Sequence, residues 1–250
     1  TLMDAVKEGE LEKVKEILSS GVDINVEDEY GKTALIHAAS HNKVDVIEYL
    51  LESKKIEVNK LEKSIGWTAL AYAIIRGQIK AAEKLIHHPN VDVNVYAFPG
   101  STLLLWAANK REVSSVKALL AHPNIQYQEK NFVGKTALIL AAERGHKDIV
   151  EILLKFIDTK KSKDCKAAQS YINAQDKDGY TALMYAVKNK FDDIVDMFLY
   201  REDINFSLIA SDVKNDTVLT LAEEQLQITK LLRAGGCEIS KIHPDDTDLR

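Results

Sequence analysis

One short motif recurs along the chain at a nearly constant interval, and it restricts the possible folds more than any other feature. It consists of a glycine, a threonine two residues later and an alanine-rich apolar run, as in GKTALIHAA at 31–39 and GKTALILAA at 134–142. The motif threonines are Thr33, Thr68, Thr102, Thr136, Thr181 and, in a weaker copy, Thr217. They follow one another at steps of 35, 34, 34, 45 and 36 residues. A period of about 20 to 50 residues is typical of a chain built from stacked repeats.

Each repeat contains two apolar runs whose spacing predicts two helices. The threonine precedes the first run, where its hydroxyl can accept a hydrogen bond from a backbone N–H at the start of a helix. The second run, IVEILL at 149–154 in one repeat, has apolar residues at i, i+1, i+4 and i+5, which form one helix face. A short extended piece ending in asparagine follows, such as VDIN at 22–25 and VDVN at 91–94. The next motif glycine then favours a turn with positive φ.

These repeats resemble the ankyrin repeat, whose signature G-x-T-[PA]-L-x-x-A-A-x-x-G-H-x-x-I-V-x-x-L-L precedes a D-V-N stretch. The resemblance covers about residues 2–240. It implies a mainly α solenoid, with a helix-turn-helix and a β-hairpin-like loop in each repeat. The histidine that is usual after T-P-L in the family is absent, and with it the hydrogen bonds that it makes there. Its positions are taken by Ile36, Ala71, Leu105, Ile139 and Met184.

We expect a single domain over 1–240, in which five full repeats form an elongated, curved stack between two capping repeats. The full repeats span 31–65, 66–99, 100–133, 134–178 and 179–214, and the caps span 1–30 and 215–240. Caps are expected because the terminal repeats of a solenoid must cover an apolar stacking face that no neighbour hides. Residues 241–250 are expected to be an acidic tail.

The fourth full repeat contains an insertion. Its step of 45 residues, against 34 or 35 for the preceding repeats, places extra residues at 156–170 (FIDTKKSKDCKAAQS). We expect this lysine-rich segment to project as a mobile loop. It is either a partner-contact or regulatory loop or a tolerated surface insertion, since added loop length costs little entropy.

Charge and cysteine content bear on the class of partner and on location. The net charge of −5 and the isoelectric point near 5.8 argue against a general binder of nucleic acid or of anionic membranes. No apolar stretch approaches the ~20 residues that span a bilayer, and no signal peptide opens the chain. Cys165 and Cys237 occur without a CxxC pair, which favours a reducing, intracellular setting. We expect a cytoplasmic protein, with the nucleus as an alternative, and a monomer.

The sequence contains no motif that indicates a catalytic centre, a metal site or a cofactor site. HExxH, the P-loop glycine pattern and G-x-S-x-G are all missing. His88 and His122 each precede Pro-Asn, but packed helices run ~8–10 Å apart, which is wide for two imidazoles on one metal. The His-Pro-Asn triplets are better explained as helix stops. We therefore predict no enzyme, no cofactor and no metal.

Because equivalent positions of stacked repeats align, candidate binding residues are found by comparing columns. The first column lies beside the motif glycine and holds a large aromatic residue in five hairpins. These tip aromatics are Tyr30, Trp67, Phe98, Phe132 and Tyr180. Exposed aromatic residues are enriched at interface hot spots, so the column predicts a partner-binding surface. The alternative is that each ring folds back onto the neighbouring hairpin.

Two further columns lie on the first helix of each repeat. The inner-helix aromatics, four residues after the motif threonine, are Tyr72, Trp106 and Tyr185, with His37 and Leu140 at the same position. They either face a groove or pack between repeats. The basic ridge, four residues further on and on the same helix face, consists of His41, Arg76, Lys110 and Arg144, with Asn189 in the fifth repeat. The ridge predicts selection of an acidic or phosphorylated partner, although any inner helix needs polar residues at its solvent edge.

These columns predict a non-enzymatic module that binds another protein through its concave groove and hairpin tips. Two other classes stay open. One is an ankyrin ligand-sensing domain, in which the aromatic and basic columns hold a nucleotide or another phosphorylated ligand. The other is the interaction region of a larger effector or signalling protein.

Overall fold

The computed structural model describes residues 1–161 and 164–206, together with Val218 and Leu221. The described residues are mainly helical, which confirms the predicted fold class. The chain comprises two compact units, residues 1–127 and 128–250. Apart from Val218 and Leu221, the predicted cap and acidic tail at 215–250 lie outside the described residues.

Helices occur in consecutive pairs joined by short turns. The first unit contains α1 (Leu2–Glu8), α2 (Leu11–Ser19), α3 (Ala34–Ser40), α4 (Val44–Leu51), α5 (Ala69–Ile75), α6 (Ile79–Ile86), β1 (Tyr96–Phe98), β2 (Ser101–Thr102), α7 (Leu103–Lys110) and α8 (Val113–Ala121). The described part of the second unit contains α9 (Ala137–Glu143), α10 (Lys147–Lys161), α11 (Cys165–Ile172), α12 (Ala182–Lys188) and α13 (Asp192–Leu199).

In the described residues, five motif threonines begin the first helix of a repeat, as the sequence predicts. Thr33 has an extended backbone, and its hydroxyl accepts a hydrogen bond from the Ile36 N–H at 3.3 Å. Equivalent bonds from the residue three positions on are accepted by Thr68, Thr102, Thr136 and Thr181. All five threonines are buried, so each hydroxyl satisfies a helix donor that water does not reach.

Alanines occupy positions where the first helices of successive repeats meet. Completely buried alanines stand at Ala38, Ala73 and Ala107 in the first unit and at Ala141 and Ala186 in the second. In the first unit α3 packs against α5 and α5 against α7, and in the second α9 packs against α12. A larger side chain at such a position would displace a packed neighbour.

The motif glycines allow successive hairpins to touch. Gly134 has a φ of 81°, and a Cβ atom there would lie 2.8 Å from the backbone nitrogen of Lys177. That nitrogen donates a hydrogen bond to the Val133 carbonyl at 3.0 Å. The equivalent bond in the first unit runs from Lys63 to Tyr30, also at 3.0 Å. Glycine alone combines the positive φ with room for the neighbouring backbone.

An asparagine at the end of the extended piece connects one repeat to the next. Asn59 Nδ2 donates to the Asn90 carbonyl at 2.7 Å, and Asn59 Oδ1 accepts from the Asp92 N–H at 2.8 Å. The same pair of bonds is made by Asn25, Asn94 and Asn173. We call these four residues the asparagine clamps. Because an amide both donates and accepts, a single side chain sets the spacing of two repeats.

The predicted hairpin-like loops contain little regular strand. Among the described residues, the one two-stranded sheet pairs β1 with β2 in antiparallel fashion, with Tyr96 opposite Thr102 and Phe98 opposite Ser101. The first hairpin has a single bridge between Glu27 and Thr33.

The insertion at 156–170 differs from the mobile loop that its composition predicts. Helix α10 extends through its first part to Lys161, and α11 begins at Cys165. Ile157 is completely buried and continues the apolar stripe of α10, while the Asp164 side chain caps α11 by accepting from the Ala167 N–H at 2.9 Å. The loop prediction is wrong for the described residues, because the lysines obscure an apolar stripe with helical spacing.

Ion pairs attach the extended end of α10 to the segment after α13. The Arg201 guanidinium lies 2.7 Å from Asp158 and 2.9 Å from Asp203, and Lys161 Nζ lies 3.2 Å from Asp203. Burial opposes ionisation of Asp203, but the two cations outweigh it and hold the pKa of that carboxyl below its ordinary value. The insertion is therefore held by charge as well as by apolar packing.

Candidate partner-binding surface

A carboxylate or amide side chain closes each of three hairpins by accepting two backbone hydrogen bonds. Asp28 Oδ1 accepts from the N–H groups of Tyr30 and Lys32, both at 2.9 Å. Asn131 and Asp176 accept equivalent pairs, from the residues two and four positions on. These bonds satisfy loop donors and hold the tips in one conformation.

The second oxygen of two hairpin carboxylates binds a buried residue of the inner helix. Asp28 Oδ2 lies 2.7 Å from His37 Nε2, and Asp176 Oδ2 accepts a hydrogen bond from the Tyr185 hydroxyl at 2.7 Å. Burial lowers the pKa of His37 below its ordinary value in spite of Asp28. Burial, together with Asp176, raises the pKa of Tyr185. These two bonds give the His37 ring and the Tyr185 hydroxyl a polar partner in repeats that lack the histidine usual after T-P-L.

Tyr72 occupies the same column but has no such carboxylate. In its hairpin, Glu62 directs both oxygens to the loop backbone and accepts from the N–H groups of residues 64–66 at 2.6 to 2.9 Å. Within the described part of the chain, the Tyr72 hydroxyl has no hydrogen-bond partner. Tyr72 thus differs from His37 and Tyr185 in leaving its polar group available.

Three of the tip aromatics are exposed. Tyr30, Phe98 and Phe132 have exposed fractions of 55%, 45% and 67%. In the first unit other large apolar side chains are exposed on the hairpins before Thr68 and Thr102. We call this set the apolar tip surface; it consists of Tyr30, Leu61, Ile65, Tyr96 and Phe98.

The other two tip aromatics fold back onto the protein. Trp67 is half-buried, and its Nε1 donates to the carbonyl of Ala97 in the next hairpin at 2.5 Å. Tyr180 is only 3% exposed, and its ring centroid lies 5.2 Å from that of Tyr185. The expectation of an exposed tip is therefore wrong for Tyr180, because its ring packs against its own inner helix.

The inner-helix aromatics are mostly packing residues. Tyr72 and Tyr185 are 3% and 9% exposed, and Trp106 is half-buried. The edge of Trp67 packs against Tyr72, with ring centroids 5.2 Å apart. The rings of Tyr72 and Tyr185 are therefore packed inside the protein.

All four basic residues of the ridge are exposed: His41, Arg76, Lys110 and Arg144. Each lies at the C-terminal end of an inner helix, where the partial negative charge of the helix favours cations. The position at a helix C-terminus is therefore a structural reason for basic residues there, separate from any role in binding.

Two cations lie against the ring of Tyr72. Lys32 Nζ is 5.0 Å from the ring centroid, and Arg76 Cζ is 5.7 Å from it. Lys32 belongs to the preceding repeat, and the comparison of columns does not identify it. The arrangement places positive charge next to the apolar tip surface.

The two His-Pro-Asn triplets end helices, as predicted, and line a cleft of 640 Å³ between the ends of α6 and α8. His88 Nδ1 accepts from the Asn90 N–H and His122 Nδ1 from the Asn124 N–H, both at 3.3 Å. Each imidazole thereby stabilises its own turn.

Among the described residues, no cluster of three or more His, Cys, Asp or Glu could hold a metal ion. In the same part of the chain, no helix is long and apolar enough to cross a membrane. Cys165 is exposed and is not in a disulfide.

Sequence reasoning missed the hairpin carboxylates, the function of the asparagine clamps and the position of Lys32. A signal for the first exists, since Asp28 and Asp176 both stand five residues before a motif threonine. The clamps also recur in the sequence, but only as the last residue of an extended piece. Lys32, like Lys135, stands directly before a motif threonine, but that position alone does not show that the lysine reaches a ring of the next repeat.

A family model described as "Ankyrin repeats (3 copies)" matches residues 2–97, 92–164 and 162–243. The chain therefore belongs to the ankyrin repeat family. Ankyrin repeats are a protein–protein interaction module, and their fold is typically non-enzymatic.

Similar curated proteins match only part of this chain. Serine/threonine-protein kinase 12 of Arabidopsis thaliana is 38% identical over 98 residues, which are 38% of this chain and 21% of that protein. Inhibitor of Bruton tyrosine kinase of Xenopus laevis is 34% identical over 65 residues, 26% of this chain and 5% of that protein. The chain thus spans about a fifth or less of the length of these relatives.

Similar solved structures cover most of the chain. The ankyrin repeat domain of Bcl-3 has a TM-score of 0.77 at 22% identity, covering 93% of this chain and 97% of that one, and shows the fold alone. An ankyrin repeat domain from Acinetobacter baumannii has a TM-score of 0.68 at 29% identity, with coverages of 84% and 99%. A chain from the structure of a predatory endopeptidase of Bdellovibrio bacteriovorus in complex with an immunity protein has a TM-score of 0.61 at 27% identity, with coverages of 78% and 96%.

Proposed function

We propose that this chain is a non-enzymatic module that binds a partner protein through its hairpin tips and concave groove. The observation that carries the proposal is the apolar tip surface of the first unit, whose five side chains are 45 to 58% exposed. Apolar side chains grouped on successive exposed loops are typical of interaction sites. The hairpin carboxylates support the proposal, because loops already held in one conformation lose less entropy on binding.

We propose further that the partner carries an acidic or phosphorylated segment that contacts the basic ridge. His41, Arg76 and Lys110 are exposed in the first unit, and Arg144 in the second, on a chain whose net charge is −5. A local positive surface on an acidic protein would steer an acidic segment toward this side of the inner helices. Because helix ends favour cations in any case, the ridge has a test of its own below.

The apolar tip surface is tested by capturing partners from the native cell with the wild-type chain, Phe98→Ala and Tyr200→Ala. Tyr200 is the matched control, because it is an aromatic residue 88% exposed in the second unit. We expect Phe98→Ala to lose a partner that Tyr200→Ala retains, and the purified complex to dissociate about tenfold faster or more. Retention of every partner by both variants would contradict the proposal.

The basic ridge is tested on the same complex with the double variant Arg76→Gln and Lys110→Gln. Association should slow and become less sensitive to salt, because exposed charges steer the encounter between the two proteins. Association rates that match those of the wild type at two ionic strengths would contradict this proposal and show that the ridge is only a solvated helix edge.

We also propose that the repeats form one domain over 1–240, with five full repeats between caps at 1–30 and 215–240, and that it acts as an intracellular monomer. The recurrence of the motif threonines at steps of 34 to 45 residues supports one domain, and the unpaired thiol of Cys165 supports an intracellular monomer. Light scattering should give a mass near 28.0 kDa. A dimer mass would contradict the monomer.

A second candidate function is the binding of a nucleotide or another phosphorylated ligand, which is favoured by the two cations at the ring of Tyr72. A ligand at 100 times its Kd should stabilise the protein by about 2.7 kcal/mol. A thermal-shift screen of nucleotides without any such stabilisation would contradict this function. A third alternative is that the chain is the interaction region of a larger effector or signalling protein.

A further inference from the structure

One arrangement of side chains occurs in both units. A lysine directly before the motif threonine lies over the inner-helix aromatic of the next repeat. The distance from Nζ to the ring centroid is 5.0 Å for Lys32 and Tyr72, and 4.4 Å for Lys135 and Tyr185. The tip aromatic of that next repeat packs against the same ring. A cation–π contact positions the ammonium group without neutralising its charge.

In the second unit the protein itself neutralises this arrangement. Lys135 Nζ lies 2.6 Å from the Glu143 carboxylate, and the Tyr185 hydroxyl donates to Asp176 at 2.7 Å. The nearby ammonium of Lys188 donates to a tyrosine hydroxyl at 3.3 Å. Each donor of the arrangement therefore has a partner within the chain.

In the first unit the equivalent positions have no internal anion. Among the residues that the structure describes, neither Lys32 Nζ nor the Arg76 guanidinium has a carboxylate oxygen within 4.0 Å, and the Tyr72 hydroxyl has no hydrogen-bond partner. Arg76 adds a second charge where the second unit has the neutral Asn189. Glu62, the carboxylate of this hairpin, is occupied by the loop backbone.

We propose that Lys32, Arg76 and Tyr72 form an anion site that takes a phosphoryl or carboxylate group borne by an apolar side chain of the partner. The inference rests on the proposed binding function and names the group that is recognised. Two cations and a hydroxyl supply charge-assisted hydrogen bonds to an anion. The rings of Trp67 and Phe98, whose centroids lie 5.5 Å apart, provide apolar surface beside the site.

The charge of the site favours a phosphoryl group over a carboxylate. A phosphoryl group carries nearly two negative charges at pH 7 and has three strong acceptor oxygens. Two cations and one hydroxyl match that charge and that number of acceptors. A carboxylate has one charge, so it should bind the same residues more weakly.

The test is a titration of the ¹⁵N-labelled protein with phenyl phosphate, phenylacetate and inorganic phosphate, followed by NMR. We expect saturable shifts of the Arg76 side-chain Nε–H and of the Lys32 and Tyr72 backbone signals, with phenyl phosphate the tightest ligand. Inorganic phosphate separates a free ion from a group on an apolar body. Equal affinity for inorganic phosphate and phenyl phosphate would overturn the assignment of the group to an apolar side chain.

Variants locate the binding at this site. Lys32→Met and Arg76→Met should each weaken phenyl phosphate binding about tenfold, and Tyr72→Phe, which keeps the ring, about threefold. Lys135→Met is the matched control, because it removes the equivalent lysine of the neutralised arrangement, and it should leave the affinity unchanged. Tyr72→Phe keeps the test valid if a charge variant folds poorly.

The outcomes separate this inference from the proposed function. Wild-type protein without saturable shifts, or equal weakening by Lys135→Met and Lys32→Met, would overturn the anion site. If the titration succeeds while Phe98→Ala still captures every partner, the proposed function fails and the anion site stands. If Phe98→Ala loses a partner but no anion binds, the proposed function stands and the anion site fails.

Discussion

The asparagine clamps allow a measurement of how strongly successive repeats hold each other. The substitution Asn59→Ala removes one donor and one acceptor, which bind the Asn90 carbonyl at 2.7 Å and the Asp92 N–H at 2.8 Å. Each hydrogen bond contributes about 0.5–1.5 kcal/mol net. Asn90 and Asp92 are exposed, so water replaces part of what the amide supplied. We therefore expect the free energy of unfolding to fall by about 1–2 kcal/mol, the lower part of the range that two such bonds would give.

Asn90→Ala is the matched control for this change. It removes the same kind of side chain from the same pair of repeats, but in the described residues the Asn90 side chain makes no hydrogen bond, and its backbone carbonyl is kept. We expect a change within about 0.5 kcal/mol, as for most exposed positions.

The assay is a denaturant titration followed by far-UV circular dichroism and by tryptophan fluorescence. The two tryptophans, Trp67 and Trp106, both lie in the first unit, so fluorescence reports on the unit that contains the clamp. Two probes are needed because repeat arrays can unfold in steps. If Asn59→Ala shifts the fluorescence midpoint no further than Asn90→Ala, the clamp does not stabilise the interface between repeats, and the reasoning fails.

Burial, hydrogen bonding and charge lead to three further predictions. Ala107→Leu should overpack a completely buried contact and lower the free energy of unfolding by about 1–3 kcal/mol, whereas Lys110→Leu, at an exposed position, should cost far less. Equal shifts of the denaturant midpoint would mean that the buried and exposed faces of this helix are wrongly assigned. Tyr185→Phe should lower the free energy of unfolding by about 1–2 kcal/mol, because it leaves the buried Asp176 carboxylate without its hydroxyl donor. Tyr72→Phe should be nearly neutral in the absence of ligand. Equal losses of stability in denaturant titrations would contradict this. The folded-state pKa of Asp203 is lowered, so its ion pairs stabilise the protein above an unfolded pKa of about 3.9 and lose that effect as the pH falls through the folded value. Asp203→Asn should therefore be destabilised at pH 7 and approach the wild type in acid, and a difference independent of pH would refute it.

The start of each inner helix could be predicted because it depends on residues close together in sequence. The Thr33 hydroxyl and the N–H that it accepts from are three residues apart, so the motif contains the whole interaction. The buried alanines follow from the same periodicity. The helices of the insertion at 156–170 were not predicted, because its lysines obscure the apolar stripe of α10 and its ion pairs involve a distant partner, Arg201, 43 residues from Asp158.

The candidate site was only partly predictable for a similar reason. Trp67 and Tyr180 both stand directly before a motif threonine, yet Trp67 is half-buried and bonds to the next hairpin, whereas Tyr180 is 3% exposed. The difference lies in what the neighbouring elements present to each ring, and column comparison contains no information about it. The same comparison identified Arg76 but not Lys32, since it looks at one helix face and the cations at Tyr72 come from two repeats.

The sequence by itself determined the repeat period, the helix starts and the residues that meet at each stacking contact, because these depend on local caps and on the spacing of apolar residues. Only the tertiary structure decided which polar groups are satisfied. Tyr72 and Tyr185 are equivalent in sequence, but Asp176 reaches the Tyr185 hydroxyl while Glu62 binds its own loop. A hydrogen bond depends on distances of a few tenths of an ångström between elements far apart in the chain, and that precision exists only once the repeats are packed together.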